Sequence, residues 1–301
     1  MGITSGAFRL TQLSSILNGS RRFYSHTIQG SKYSKNFKQY LKLNNGEVGS
    51  YFHDIPVSVD TEAKTVNMVV EVPRWSNGKF EISKNLEFNP IVQDVKKDKV
   101  RFVHNIFPYH GYIHNYGAIP QTWENKAELN KIPGVKDGLY GDNDPLDCCD
   151  IGAPLLHMGD VKKVKVLGSL ALIDDGELDW KIIVINTEDP LTEKVNSLKD
   201  VEEHFPGLLN ATREWFRKYK IPMGKPENRF GFDGEFLESD KSMEVIQHCH
   251  KSWLKLIGDK TGLEDVTDLP VTKRCGNWVF KEEDIKPDTK IPEEVHKWYH
   301  V

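Results

Sequence analysis

Two-residue alternation of apolar and polar side chains recurs from Val66 to about Ile185, and it restricts the fold more than any other feature of the chain. A period of two sends successive side chains to opposite faces, so each such stretch predicts a half-buried strand. Val66, Met68, Val70 and Val72 fall on one face, with Asn67 and Glu71 on the other. Beyond the turn sequence Ser76-Asn77-Gly78, Phe80 and Ile82 alternate with Lys79 and Glu81, which puts the lysine beside the glutamate. Val100, Phe102 and His104 alternate with Arg101 and Val103, and Tyr112, His114 and Tyr116 share a face in an extended segment. A strand from Val164 to Ile173 meets Asp174-Asp175-Gly176-Glu177, which carries the Asp-Gly hairpin signal. The next strand, Leu178 to Ile185, puts Asp179 and Lys181 opposite Trp180, Ile182 and Val184.

The period then becomes helical. Leu208, Leu209, Thr212, Trp215, Phe216 and Tyr219 form one stripe, stopped by Pro222. Val245, Ile246, Cys249, Trp253, Leu256 and Ile257 form a second. From about Gly258 the chain is rich in Pro, Lys and Asp, which predicts an irregular extension over 258–301. Strands followed by helices, without βαβ alternation, predict an α+β protein: a mainly β core, closed as a β-barrel, with helices packed outside.

One loop stands out chemically. Gly141-Asp142-Asn143-Asp144-Pro145-Leu146-Asp147-Cys148-Cys149-Asp150 brings Asp142, Asp144 and Asp147 within six residues. Pro145 fixes its own φ and disfavours the helical region for Asp144, so the loop is stiff. Carboxylates this close stay ionised together most easily around a cation. Oxygen ligands on a short loop suit Mg²⁺, which leaves positions open for water and phosphate. The bland alternative is a solvated acidic turn. An EF-hand is rejected, because its fifth and sixth positions would hold Leu146 and Asp147. An aspartyl-phosphate phosphatase is rejected too: Lys136-Asp137-Gly138-Leu139-Tyr140 is not a buried apolar strand.

The first 46 residues contain no Asp or Glu but carry Arg9, Arg21 and Arg22, frequent Ser and Thr, and Leu10, Leu13 and Leu17 on one helical face. This describes a mitochondrial transit peptide over residues 1–24, cut after Tyr24, and hence a matrix location. The single domain would span 25–301. No apolar run reaches the ~18 residues of a membrane span. A net charge of −4 gives no global attraction to nucleic acid. Cys148, Cys149, Cys249 and Cys275 form no C-x-x-C pair and are expected as buried thiols.

Collected from the strand faces and loops, the polar candidates are Glu71, Glu81, Asp142, Asp144, Asp147, Asp174 and Asp179, with Lys79, Arg101, Lys181 and Lys220, and with the hydroxyls of Tyr112, Tyr116 and Tyr219. If they meet, acids outnumber bases, and an anion is attracted only once divalent cations have bound. Spacing alone does not show that they meet. Other readings are a metal-dependent phosphatase for organic esters, and an OB-like barrel binding single-stranded nucleic acid through Tyr112, Tyr116 and Arg101.

The run Asp142-Asn143-Asp144-Pro145-Leu146-Asp147 resembles the signature of the family I soluble inorganic pyrophosphatases. Four further stretches are similar to that family: Glu71-Val72-Pro73-Arg74-Trp75, His110-Gly111-Tyr112-Ile113-His114-Asn115-Tyr116-Gly117, Asp174 to Lys181, and Phe216-Arg217-Lys218-Tyr219-Lys220. The eukaryotic branch matches best and, with the leader, its mitochondrial form. The resemblance implies a five-stranded OB-like barrel and hydrolysis of pyrophosphate to two phosphates by a metal-bridged water, with two to four Mg²⁺ per site. By position, it implies that Asp142, Asp147 and Asp179 hold the first Mg²⁺ and that Asp147 also reaches the second. Asp174 and Asp179 would serve a further ion, and Glu71 and Glu81 would hold metal-bound waters. Lys79, Arg101, Tyr116, Lys181, Tyr219 and Lys220 would grip phosphate, with Tyr112 near them, and Asp144 would be the base. It also implies a homodimer, with Arg74, Trp75 and Trp298 as contact residues.

Overall fold

The computed structural model describes residues 24–258, 263, 266–271, 280 and 286–301. Apart from Tyr24, the predicted leader lies outside the described residues, and so does Cys275. The strands that frame the site are β1 (Ser25–Gln29), β2 (Lys38–Lys42), β3 (Thr65–Val72), β4 (Phe80–Ile82), β5 (Ile91–Gln93), β6 (Asn115–Ala118), β7 (Asp147–Asp150), β8 (Val161–Asp174) and β9 (Glu177–Asn186). The helices are α1 (Leu198–His204), α2 (Leu208–Lys218) and α3 (Ser239–Ile257). The protein is thus mainly β with few helices, as the alternation predicts.

The first sheet runs β1-β2-β5-β4 and the second β9-β7-β6-β3-β8, with β8 pairing back to β9. In the second sheet β7 and β9 are parallel, and the other pairs named here are antiparallel. The β8–β9 connection is the expected hairpin. Asp174 pairs with Glu177, and Asp175 and Gly176 take φ of 50° and 96°. Positive φ at both central residues matches the right-handed twist of the strands, and Asp-Gly tolerates it best.

Two apolar cores lie on the two faces of these strands. One takes Val66, Met68 and Val70, then Ile182 and Val184, with Met243, Ile246 and Cys249 of α3. The other takes Val69, Val72, Ile183 and Ile185, with Trp215 and Phe216 of α2. Val72 therefore departs from the sequence expectation, which put it with Val66, Met68 and Val70. The reason is a slip in the β3–β6 register: Tyr116 pairs with Val72 but Gly117 with Val70, which leaves Glu71 as an extra residue. Such a bulge re-aims side chains around it. At the same crossing a Cβ on Gly117 would lie 1.9 Å from the Val69 carbonyl oxygen, so only glycine fits.

His114 also departs from the expected grouping with the tyrosines. It is buried, with Nε2 2.7 Å from Thr212 Oγ1 under α2. The extended backbone of β6 begins only at Asn115. Cys148, Cys149 and Cys249 are buried free thiols. Within the extension, Leu263 and Val295 are buried, and Trp298–Tyr299 pairs parallel with Asn105–Ile106. Among the described residues no helix is long and apolar enough to cross a membrane.

The cores locate the site. On the α2 side, alternate positions turn from apolar to polar toward one end of the strands. Val69 gives way to Glu71, Cys149 to Asp147, and Leu172 to Asp174. On β9, Ile183 gives way to Lys181 and Asp179.

Candidate active site

The fourteen residues singled out from the sequence line one cavity of about 280 Å³. The loop between Gly141 and Asp147 forms one wall. Asn143 takes a left-handed φ of 74°, which asparagine tolerates better than most residues. Its amide N–H donates to the Glu124 carbonyl at 3.0 Å, and its Oδ1 accepts from Trp123 Nε1 at 3.0 Å. The Asp144 carbonyl accepts the Glu124 N–H at 2.9 Å, and Asp142 Oδ1 accepts the Asp144 N–H at 3.0 Å. The loop is therefore fastened to the Trp123–Glu124 backbone while its carboxylates face the cavity.

The basic residues are already paired. Lys181, almost fully buried, binds Asp147 and lies 2.6 Å from Asp179 Oδ1 and 2.9 Å from the Tyr116 hydroxyl. Tyr116 donates to Asp147 as well. Lys220 pairs with Asp174, whose other oxygen accepts from the Tyr219 hydroxyl at 2.9 Å. Pro222 cannot extend α2, so the chain leaves the helix at Lys218 and delivers Tyr219 and Lys220 to the cavity. Lys79 lies 2.8 Å from Glu81, the neighbour that strand geometry predicts, and 3.0 Å from Asp94, which also binds Arg101. The Tyr112 and Tyr116 rings lie 5.0 Å apart, tilted by 49°.

Three residues near these were not named from the sequence. Asp94 follows β5 and ties Lys79 to Arg101. Lys84 follows β4 and lies 2.7 Å from Asp144. Glu124 is buried, accepts the Trp180 N–H at 3.0 Å through Oε1, and among the described residues has no partner for Oε2. Nothing in the sequence marks Glu124: it has no period, and its neighbours Gln121, Thr122, Asn125 and Lys126 are polar.

Carboxylate oxygens of Glu124, Asp142 and Asp179 lie within 4.8 Å of one another. Burial first, and then Asp144, pushes Asp142 well above the ordinary carboxylate range. Burial and Asp142 do the same to Glu124. Burial raises Asp179 to about 7, against the pull of Lys181, and partial desolvation raises the half-buried Asp144 to about 6, against the pull of Lys84. Glu71 is raised by burial and by Asp147, although its Oε1 accepts the Ile82 N–H at 2.7 Å. Buried acids that repel one another, one with an orphaned oxygen, fit a hard divalent cation. Asp147 stands apart from the trio, its carboxylate taken by Lys181 and Tyr116.

The family model described as inorganic pyrophosphatase matches residues 68–254. The mitochondrial inorganic pyrophosphatase of Saccharomyces cerevisiae is 57% identical over 303 residues, covering 99% of this chain and 97% of that protein. The solved inorganic pyrophosphatase of Schistosoma japonicum superposes with a TM-score of 0.84 at 40% identity, covering 92% of this chain and all of that one. A vacuolar soluble pyrophosphatase of Trypanosoma cruzi, truncated of its N-terminal domain and solved in complex with PPi, gives a TM-score of 0.70 at 34% identity, covering 85% of this chain and 97% of that truncated one. With a matched family model over more than half its length, and relatives that align end to end, the chain belongs to the inorganic pyrophosphatase family and is a pyrophosphate hydrolase.

Proposed function

We propose that this cavity is where pyrophosphate is hydrolysed, with the fourteen residues in the roles that the family resemblance gives them. The observation that carries the reading is that all fourteen line one cavity. Asp142, Asp147 and Asp179 would hold the first Mg²⁺, with Asp147 reaching the second. Asp174 and Asp179 would take a further ion, and Glu71 and Glu81 the surrounding waters. Glu124 joins Asp142 and Asp179 as a candidate ligand. When bound, Mg²⁺ supplies Lewis acidity, lowering the pKa of water and offsetting phosphate charge.

The chain's own groups do the rest. Asp144 accepts the proton of the attacking water. That oxygen forms a bond to one phosphorus while the bond to the bridging oxygen breaks, and the bridging oxygen leaves on the second phosphate. Lys79, Arg101, Lys181 and Lys220, with the hydroxyls of Tyr116 and Tyr219, hold phosphate oxygens and the charge that develops on the leaving group, with Tyr112 beside them. Phosphate release from pyrophosphate, an aryl phosphate and ATP, each with Mg²⁺, is the test. Fast release from pyrophosphate alone is expected. Comparable release from the ester would make the protein a general phosphatase, and tight single-stranded nucleic-acid binding without turnover would favour the nucleic-acid reading. Excess chelator should abolish release, and Ca²⁺, larger and with more ligands, should inhibit it.

Three structural readings accompany this one. The five strands β3, β6, β7, β9 and β8 pair in a circuit that returns to β3, which supports a closed OB-like barrel. The exposed aromatic patch of Trp75, Phe107 and Trp298 supports a homodimer, whereas Arg74 donates to the Asp150 and Gly152 carbonyls of its own chain. The acid-free leader, the mitochondrial relative and the start of β1 at Ser25 support import into the matrix with removal of residues 1–24, followed by a single domain. Sedimentation of the purified protein tests the dimer. The N-terminal residue of protein isolated from mitochondria, expected near Ser25, tests the cut.

A further inference from the structure

We propose that Lys84 is a positioning residue that aims the Asp144 carboxylate, and that the segment Asp268–Val271 holds both members of the pair in register. The inference rests on Asp144 being the base. Lys84 Nζ lies 2.7 Å from Asp144 Oδ1, and among the described residues it is the only ion-pair partner recorded for Asp144. Both side chains are partly open to solvent, at 27% and 39%, so packing alone does not fix the carboxylate. The backbone of Asp144 is fastened, but its side chain takes its direction from Lys84.

Lys84 is itself held. Its loop is closed by the Ser83 N–H donating to the Pro90 carbonyl at 2.8 Å and by Asn89 Nδ2 donating to the Ser83 carbonyl at 3.0 Å. The Val271 N–H donates to the Lys84 carbonyl at 2.7 Å, and the Val271 carbonyl accepts from Asn89 Nδ2 at 3.2 Å and lies 3.0 Å from His53 Nε2. Three residues earlier, the Asp268 carbonyl accepts from Asn143 Nδ2 at 2.9 Å. Asn143 is the residue before Asp144. One short segment of the C-terminal extension thus binds the Lys84 backbone on one side of the ion pair and the Asn143 side chain, next to Asp144, on the other.

A group that only orients a catalytic carboxylate changes turnover more than substrate binding, as outer partners of catalytic groups do. Lys84→Met should lower kcat about tenfold, with KM for Mg–pyrophosphate and Mg²⁺ affinity near normal, and Lys84→Arg should restore most of the rate. In an Asp144→Asn background, Lys84→Met should cost nothing more, because the group it aims is gone. Unchanged or increased kcat in Lys84→Met, a raised KM at normal kcat, failure of arginine to rescue, or additive losses in the double variant would each overturn the proposal. Near-normal turnover in Asp144→Asn alone would instead remove the base assignment on which it rests.

Discussion

Asp142 and Asp144 sit two residues apart on one loop, yet their surroundings differ. Asp142 Oδ1 closes the loop on the Asp144 N–H, and its carboxylate faces Glu124 and Asp179. Asp144 faces Lys84 across the cavity. Asp144→Asn keeps the shape but cannot take a proton, so the folded variant should bind Mg²⁺ near normally while turnover falls roughly 10²–10⁴-fold, about 3–5 kcal/mol of barrier. Metal titration beside initial rates measures both, and the defect should shrink at high pH, where less of the water needs a base. Without substrate, Asp147→Ala should weaken Mg²⁺ binding most, because that residue is assigned to both the first and the second ion; lost metal affinity in the Asp144 variant instead would make Asp144 a ligand.

At the scale of elements, the site depends on the crossing of β3 and β6. The bulge at Glu71 and the bare Cα of Gly117 belong together, since a side chain at 117 would strike the Val69 carbonyl oxygen. Gly117→Ala should cost roughly 1–3 kcal/mol, toward the upper end because backbone cannot rotate aside. A urea melt measures it, and catalysis should suffer too through Tyr116 and Glu71. This crossing also marks where sequence reading stops. Lys79 beside Glu81, the Asp175-Gly176 turn, and Asp179 and Lys181 opposite Trp180 were legible, because each follows from a local period or a turn rule. Val72 on the other core was not, because one inserted residue reverses the face of everything beyond it, and the insertion is visible only in the partner strand. Glu124 and Lys84 were not legible either. Lys84 reaches the cavity, and Glu124 the carboxylates of Asp142 and Asp179, through tertiary contacts of irregular segments, for which no period exists.

The molecule as a whole binds protons differently in its folded and unfolded states. His53 is held down at about 4, chiefly by burial, with Nδ1 accepting from Trp253 Nε1 at 2.9 Å. Its folded pKa lies below the ordinary 6.5, so the unfolded chain takes the proton first as pH falls. The stability from this group is complete above about pH 6.5 and is lost as pH drops toward 4, up to about 3 kcal/mol. Urea melts of the wild type and His53→Gln should therefore converge over that window; parallel curves would assign the acid sensitivity elsewhere. The pairing of Lys181 with Asp147 and Asp179, and of Lys220 with Asp174, has a further consequence. On the proposed assignments, a cation held by these carboxylates would free both ammonium groups for phosphate. Metal and substrate then act as reciprocal effectors: whatever factor Mg²⁺ adds to the affinity for a non-hydrolysable pyrophosphate analogue, the analogue must add to the affinity for Mg²⁺. Calorimetric titration of each in the presence and absence of the other should close that cycle, and Lys181→Met should reduce the coupling in both directions by the same amount.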